Sequence, residues 1–185
     1  MTRVGALVLA AGEGRRFGGT KQLAELGGRP LLEHALAAVA GIAPRVVVLG
    51  HAAAEIQAAV DLQGARPVVC EDWRSGQAAS LRCGLAALGG VDAVLVVLGD
   101  QPGLTPAAIS AVAGAAGDED AVRATDGGAP AHPVLLRRRL LERAGELRGD
   151  TGFRDLLEGA RVGTVEVGHL ADPADIDTRE ELARR

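Results

Sequence analysis

At 185 residues with 48% apolar side chains, the chain is long enough to bury a substantial core without disulfides or metals, and it reads as one domain over residues 1–185. Its net charge of −4 and pI near 5.6 exclude a general nucleic-acid or membrane-surface binder, which needs a net basic face. With two Phe, one Trp and no Tyr, the predicted core is aliphatic.

An apolar run over residues 4–9 predicts the first buried strand. It meets glycines and charges too soon for a signal peptide, and no apolar stretch approaches membrane-spanning length, so the expected location is cytoplasmic. After a glycine-rich stretch, Pro30 sits at a first-turn position ahead of the stripe Leu31, Leu32, Ala35, Leu36 and Val39, which predicts a helix ending at Gly41. Runs at 45–49 and 67–70 predict strands, and the stripe Ala78, Leu81, Leu85, Leu88 predicts a helix. The most hydrophobic strand is 93–98, and Thr105-Pro106 then opens a helix bearing Ile109, Val112 and Ala116, with Gly117 beyond its end.

A strand at 121–124 leads into residues 123–131, the expected mobile loop, either a lid or a surface turn. The stripe Leu136, Leu140, Ala144, Leu147 predicts a helix closed by Gly149, 162–167 a last strand, and Thr178 with Glu181 a capping box for a short final helix. Short apolar runs alternating with helical patterns imply an α/β fold with a mainly parallel central sheet. Cys70 and Cys83 match no zinc or redox spacing and read as small buried hydrophobes.

Lys21 is the only lysine; every other permanently basic side chain is arginine. It closes the stretch Gly12-Glu13-Gly14-Arg15-Arg16-Phe17-Gly18-Gly19-Thr20, which follows the first strand and so lies at a strand's carboxyl end, where open parallel sheets bind ligands. A dinucleotide fingerprint fails because Phe17 stands where its third glycine belongs, and a Walker A loop fails because Gln22 follows Lys21. What remains is a longer loop whose backbone N–H groups, Arg15, Arg16 and Lys21 suit a triphosphate, or else a solvated glycine turn.

Asp100 ends the strand Val94-Leu95-Val96-Val97-Leu98, so a 3-2-1-4 strand order sets it across a crevice from the glycine loop. There a carboxylate suits Mg²⁺ bound against phosphate oxygens; the plainer alternative is a turn-forming Asp before Gln101-Pro102. Loop and carboxylate together suit displacement at a nucleotide's α-phosphorus, which needs charge neutralisation and in-line positioning more than a strong base.

The segments Leu9-Ala10-Ala11-Gly12-x-Gly14-x-Arg16-Phe17-Gly18-x-x-Lys21-Gln22-Leu23, Gly27-x-Arg29-Pro30-Leu31-Leu32 and Leu98-x-Asp100-Gln101-Pro102 closely resemble the MobA-like nucleotidyltransferases, and within them the molybdenum cofactor cytidylyltransferases. The likeness continues through Gly76-Gln77-Ala78-Ala79-Ser80-Leu81, His132-Pro133-Val134, Gly149-Asp150-Thr151-Gly152 and Asp175-Ile176-Asp177-Thr178. It implies a Rossmann-like, three-layer nucleotidyltransferase fold, CTP and Mg²⁺ as partners, and the terminal phosphate of a molybdopterin cofactor as nucleophile. A molybdenum hydroxylase or its maturation chaperone would receive the product.

Carried over by position, Leu9, Ala10, Ala11, Gly12, Gly14, Arg15, Arg16, Lys21, Gly76, Ser80 and Asp100 would hold the nucleotide. Lys21, Arg16 and Asp100 would be catalytic, and Asp100 and Asp177 would hold metal. His132, Pro133, Gly149, Asp150 and Gly152 would face the acceptor, and Ala11 favours cytosine over guanine. Plainer readings stay open: a packed His132, a turn at Asp150, and Asp177 serving a helix N-terminus. Arg137-Arg138-Arg139 points around a helix and reads as a solvated face. Another phosphate acceptor, such as a sugar phosphate, and a non-catalytic nucleotide-binding protein are the competing functions.

Overall fold

The computed structural model describes residues 2–115, 117–149 and 152–185. Seven strands form one sheet: β1 (Val4–Ala10), β2 (Arg45–Leu49), β3 (Arg66–Val69), β4 (Ala93–Leu98), β5 (Ala121–Asp126), β6 (Ala129–Arg137) and β7 (Val162–Glu166). Their order is β3-β2-β1-β4-β6-β5-β7, with the first four parallel, β6 antiparallel to both β4 and β5, and β7 parallel to β5. The 3-2-1-4 order expected from sequence is therefore present.

Strand alternation divides the core into two layers. Ala6, Val8 and Ala10 face the helices α1 (Leu31–Ala38), α2 (Ala53–Ala59) and α4 (Pro106–Ala113). Leu7 and Leu9 face α3 (Gln77–Ala87), α5 (Arg138–Arg143) and α6 (Gly152–Leu157). Both faces are covered, which is why the central strands read as unbroken apolar runs. A seventh helix, α7 (Arg179–Ala183), carries the capping box predicted at Thr178 and Glu181. Among the described residues no helix is long and apolar enough to cross a membrane.

Three expectations change. The stretch read as a mobile loop is a β5–β6 hairpin turning at Gly127 and Gly128, both with positive φ (56° and 82°), as a two-residue primed turn requires. Glu166 fastens it by accepting from Thr125 Oγ1 (3.0 Å), Gly127 N (3.0 Å) and Gly128 N (3.1 Å), so this turn is pinned and is no lid. Helix α4 stops at Ala113; Ala116, expected on its stripe, lies outside the described residues. Leu136 belongs to β6, and α5 starts only at Arg138.

The arginine triplet diverges. Arg137 donates to Ala115 O (2.9 Å), Arg138 pairs with Asp92 (2.5 Å) and Arg139 with Asp120 (3.3 Å), so the three share no anion.

Helix α3 approaches the sheet closely at Gly84. A Cβ there would stand 2.2 Å from Leu7 Cδ1 and 2.8 Å from Val48 Cγ2, both on fully buried residues. Close packing leaves those side chains nowhere to go, so Gly84→Val is expected to destabilise the chain by about 1–3 kcal/mol in a denaturant titration. Unchanged stability would show that α3 can lift off the sheet.

Candidate active site

β1 and β4 are neighbours, and the chain leaves both at the same edge of the sheet. From β1 it enters the glycine loop, which Gln22 ties down. The Gln22 side chain is buried, and its amide nitrogen donates to Ala10 O and Gly12 O, both at 2.9 Å. Gly14, at φ 67°, lets the loop close on itself: a Cβ there would meet Gly19 O at 2.3 Å. Phe17 anchors the far side of the loop, buried with Leu31 and Ile176.

From β4 the chain reaches Asp100, whose carbonyl accepts from Ile176 N (2.9 Å). That bond and the burial of Ile176 bring Asp175 and Asp177 to Asp100, and oxygens of all three carboxylates lie within 4.8 Å of one another. Glu181 holds the segment by accepting from Asp177 N (2.7 Å) and Thr178 N (2.9 Å), which draws its own carboxyl below the usual range.

Lys21 reaches into this cluster. Its Nζ lies 2.5 Å from Asp100 Oδ2 and 3.0 Å from Asp177 Oδ1, and it donates to Ile176 O at 3.2 Å. Arg16 Nη1 pairs with Asp177 Oδ2 at 2.7 Å. Burial opposes the Lys21 ammonium, but Asp100 and Asp177 together outweigh it and raise its pKa. The Asp100 carboxyl is also raised: burial pushes it up more than Lys21 pulls it down, and Asp175 adds repulsion. A shared ammonium thus fails to offset the cost of burying this carboxylate.

Asp100 Oδ1 is buried and lacks a hydrogen-bond partner. An orphaned carboxylate oxygen beside two further carboxylates fits a hard divalent cation, which takes oxygen ligands and usually one or two carboxylates from protein. Asp100, Asp175 and Asp177 are the residues that could hold it.

A cavity of about 830 Å³ opens over this cluster. Leu9, Ala10, Ala11, Gly12, Gly14, Arg15, Arg16, Lys21, Gly76, Ser80, Asp100 and Asp177, all expected from sequence, line it together. Arg15 is exposed and paired with Glu13 at 2.8 Å. Sequence reasoning did not single out Asp175, Gln22, Trp73 or Arg74 as site residues, although all four line the wall. Trp73 meets His51 edge-on at 5.6 Å, and the Arg74 guanidinium lies 4.6 Å over its ring. A smaller cavity, about 410 Å³, lies between α3 and α5; its lining is mainly aliphatic, and Arg82 there is already bonded to Leu147 O.

Of the residues expected at the acceptor, His132, Pro133 and Gly149 do not line the main cavity. His132 and Pro133 lie on β6; burial and the Arg123 charge push the His132 pKa down to about 4, so its ring is neutral at physiological pH. Gly149 O accepts from Ala78 N (3.0 Å) and thereby touches the first turn of α3. Gly152 opens α6, and Asp150 lies outside the described residues.

The sheet order, the tied glycine loop and the facing carboxylates define a nucleotidyltransferase-like α/β protein with its site at the carboxyl edge of β1 and β4. The chain belongs to the family described as the MobA-like NTP transferase domain, which matches residues 6–166. It is 33% identical to nicotine blue oxidoreductase of Paenarthrobacter nicotinovorans, over 98% of this chain and 95% of that protein. It is also 40% identical over 116 residues to the bifunctional protein GlmU of Corynebacterium aurimucosum, a match covering 57% of this chain and 24% of GlmU. The chain thus spans about a quarter of that relative's length. The crystal structure of Rv0371c from Mycobacterium tuberculosis superposes with a TM-score of 0.88 at 30% identity, covering 99% of this chain and 96% of that one. Rv0371c has also been crystallised in complex with manganese.

Binding of a divalent cation to the native chain alone is expected to raise its thermal midpoint, by the equivalent of about 2.7 kcal/mol at a hundredfold excess over Kd. Asp100→Asn and Asp177→Asn should each remove most of the rise. Because protonated carboxyls do not ligate, the rise should also fade as pH falls, sooner than an ordinary aspartate dictates, since the Asp100 carboxyl is raised. Scanning fluorimetry with Mn²⁺ across a pH series checks both points; a rise indifferent to the two substitutions would place the ion elsewhere.

Proposed function

We propose that the chain transfers CMP from CTP to the terminal phosphate of a molybdopterin cofactor, releasing pyrophosphate and forming the cytosine dinucleotide. The observation that carries this reading is Lys21 standing between Asp100 and Asp177 at the mouth of a glycine loop with two further arginines. An acceptor phosphate oxygen attacks the α-phosphorus, and the bond to the bridging oxygen breaks. The electron pair leaves on pyrophosphate, so no covalent enzyme intermediate is needed.

Each residue then has a task. Lys21 and Arg16 stabilise charge on the triphosphate and the leaving group, with Arg15 at the exposed rim. Leu9, Ala10, Ala11 and Gly12 bind base and ribose opposite Gly76 and Ser80, with Gly14 shaping the turn. The Ala11 side chain, buried on the cavity wall, narrows the space open to a base, which supports cytosine over a purine. Asp100, Asp175 and Asp177 hold Mg²⁺, which supplies charge neutralisation to the phosphates when bound. His132, Pro133, Gly149, Asp150 and Gly152 serve the acceptor.

A second reading draws on the oxidoreductase relative, whose match is full-length. Reduction of nicotine blue by a supplied electron donor, in the absence of any nucleoside triphosphate, would favour it. The GlmU match supports a third, in which the acceptor is a different phosphorylated small molecule.

Pyrophosphate release, measured with CTP, GTP, ATP and UTP against molybdopterin and sugar phosphates, is expected only for CTP with the pterin. Asp100→Ala should lower kcat by roughly a hundredfold or more, the loss typical of removing one preorganised charge from a transition state. Lys21→Arg keeps the charge but replaces a compact ammonium with a planar fork, and should also impair transfer. Turnover of a sugar phosphate without the pterin, or full activity in Asp100→Ala, would overturn the assignment.

Trp73 is the only tryptophan and lies on the cavity wall, so its emission reports occupancy. CTP with Mg²⁺ should change it saturably. A response to every NTP alike would count against base selection by Ala11.

A further inference from the structure

The described half-buried arginines are Arg45, Arg82, Arg123, Arg137 and Arg143. Arg45, Arg82 and Arg137 donate to backbone carbonyls, and Arg143 pairs with Glu146 at 3.6 Å. Arg123 differs: its Nε is buried without a hydrogen-bond partner, and no carboxylate among the described residues lies within salt-bridge distance. A partly desolvated cation without a counter-ion is unfavourable unless something anionic completes it.

Its place in the sheet suggests what that is. Val122 and Ala124 pack on the α1/α4 side of the sheet, so Arg123 between them faces the α3/α5 side, as Ala121 and Arg123's own pair Val134 do. The β5–β6 ladder then slips, from Arg123 opposite Val134 to Thr125 opposite Pro130, so residues 131–133 crowd against Ala124. Such bulges turn a side chain out of its regular direction, and His132 sits in this one. Arg123 and His132 are close enough for the arginine's charge to act on the imidazole. On the other side, β6 pairs Val134 with Val96 of β4, and beyond that pair β4 runs on to Leu98 in the cavity wall while β6 runs back to His132.

The cations of the glycine loop, Arg15, Arg16 and Lys21, follow β1, whereas Arg123 and His132 lie on the opposite flank of β4. With strands about 4.8 Å apart, β5 lies roughly 10 Å from β4, a separation that a long arginine side chain covers much of. The glycine loop and Arg123 therefore lie on opposite flanks of β4, the strand that leads to Asp100.

We propose that Arg123, with His132 beside it, is an oxyanion-binding site for the phosphorylated acceptor. This rests on the transferase reading above. The guanidinium fork takes two oxygens of one anion in parallel. Acceptor and nucleotide then enter from opposite flanks of β4.

Two measurements on the full chain test it. In the first, inorganic phosphate is titrated into ¹⁵N-labelled protein while the arginine Nε–H resonances are followed, with the Arg123 signal identified by its loss in Arg123→Lys. The Arg123 signal should shift saturably and the His132 pKa should rise as its positive neighbour is neutralised. Arg123→Lys should bind phosphate about tenfold more weakly, because the ammonium keeps the charge and loses the fork. In the second, Arg123→Gln should raise KM for the acceptor about tenfold or more and leave KM for the nucleotide unchanged.

An unmoved Arg123 signal at saturating phosphate, or equal effects on both KM values, would overturn the proposal. Thermal midpoints of both variants separate binding loss from misfolding, and Arg123→Lys carries the test if Arg123→Gln unfolds. The phosphate titration does not depend on transfer: a chain that never transfers nucleotides but binds phosphate at Arg123 sinks only the transferase reading. One that transfers but ignores phosphate there sinks only this site.

Discussion

Ile176 is where the site is made. Its side chain is buried with Phe17 and Leu31, and its amide donates to the carbonyl of Asp100. Asp175 and Asp177, on either side of Ile176, then lie with the Asp100 carboxylate, their oxygens within 4.8 Å of one another. Two like charges 4 Å apart repel by about 4 kcal/mol at an effective dielectric of 20, so the segment docks against its own electrostatics. Burial of Ile176 and Phe17, about 1.5–3 kcal/mol each, opposes that repulsion, and Lys21 with Arg16 reduces it. Burial adds its own cost at Asp100, whose carboxyl stays raised although an ammonium lies 2.5 Å away.

The same contact couples elements distant in sequence. Phe17 belongs to the glycine loop, so the loop and the carboxylates share one small apolar cluster. Arg179, over the Phe17 ring at 5.0 Å, extends that cluster to the start of α7. Gln22 holds the other end of the loop to β1 by donating to two carbonyls. A loop fastened at both ends keeps its free backbone groups aimed into the cavity, and a cationic arm reaching across from it completes the electrostatics.

Much of this architecture was legible in the sequence, and the gaps have physical causes. The runs at 4–9, 45–49 and 93–98 read as strands because both faces of the parallel half are covered. Lys21 and Asp100 stood out because each follows such a strand. Asp175 did not, because a carboxylate in the acidic segment around Asp172 and Asp177 looks solvated until Ile176 is known to be buried. The β5–β6 hairpin was hidden because Pro130 and Pro133 interrupt the apolar pattern of β6 and Gly127-Gly128 reads as slack. Cys70 and Cys83 lie against each other because α3 folds back over β3, a proximity their spacing of thirteen cannot reveal.

The relatives differ in name, from an oxidoreductase to a bifunctional protein, while sharing this chain's fold or much of its sequence. A shared scaffold does not dictate a shared reaction, so what separates them must lie in residues outside the common framework. In this chain the charge cluster around Asp100 can serve any metal-bound triphosphate and selects nothing by itself. Selection falls to the walls. On the β1 side, Ala11, Trp73 and Arg74 line the cavity; on the far side of β4, His132 and Arg123 lie on β6 and β5, outside that lining. The two sides are built from different strands and meet only through β4. Substitutions on β5 and β6 can therefore accumulate without disturbing the packing that holds Lys21 to Asp100.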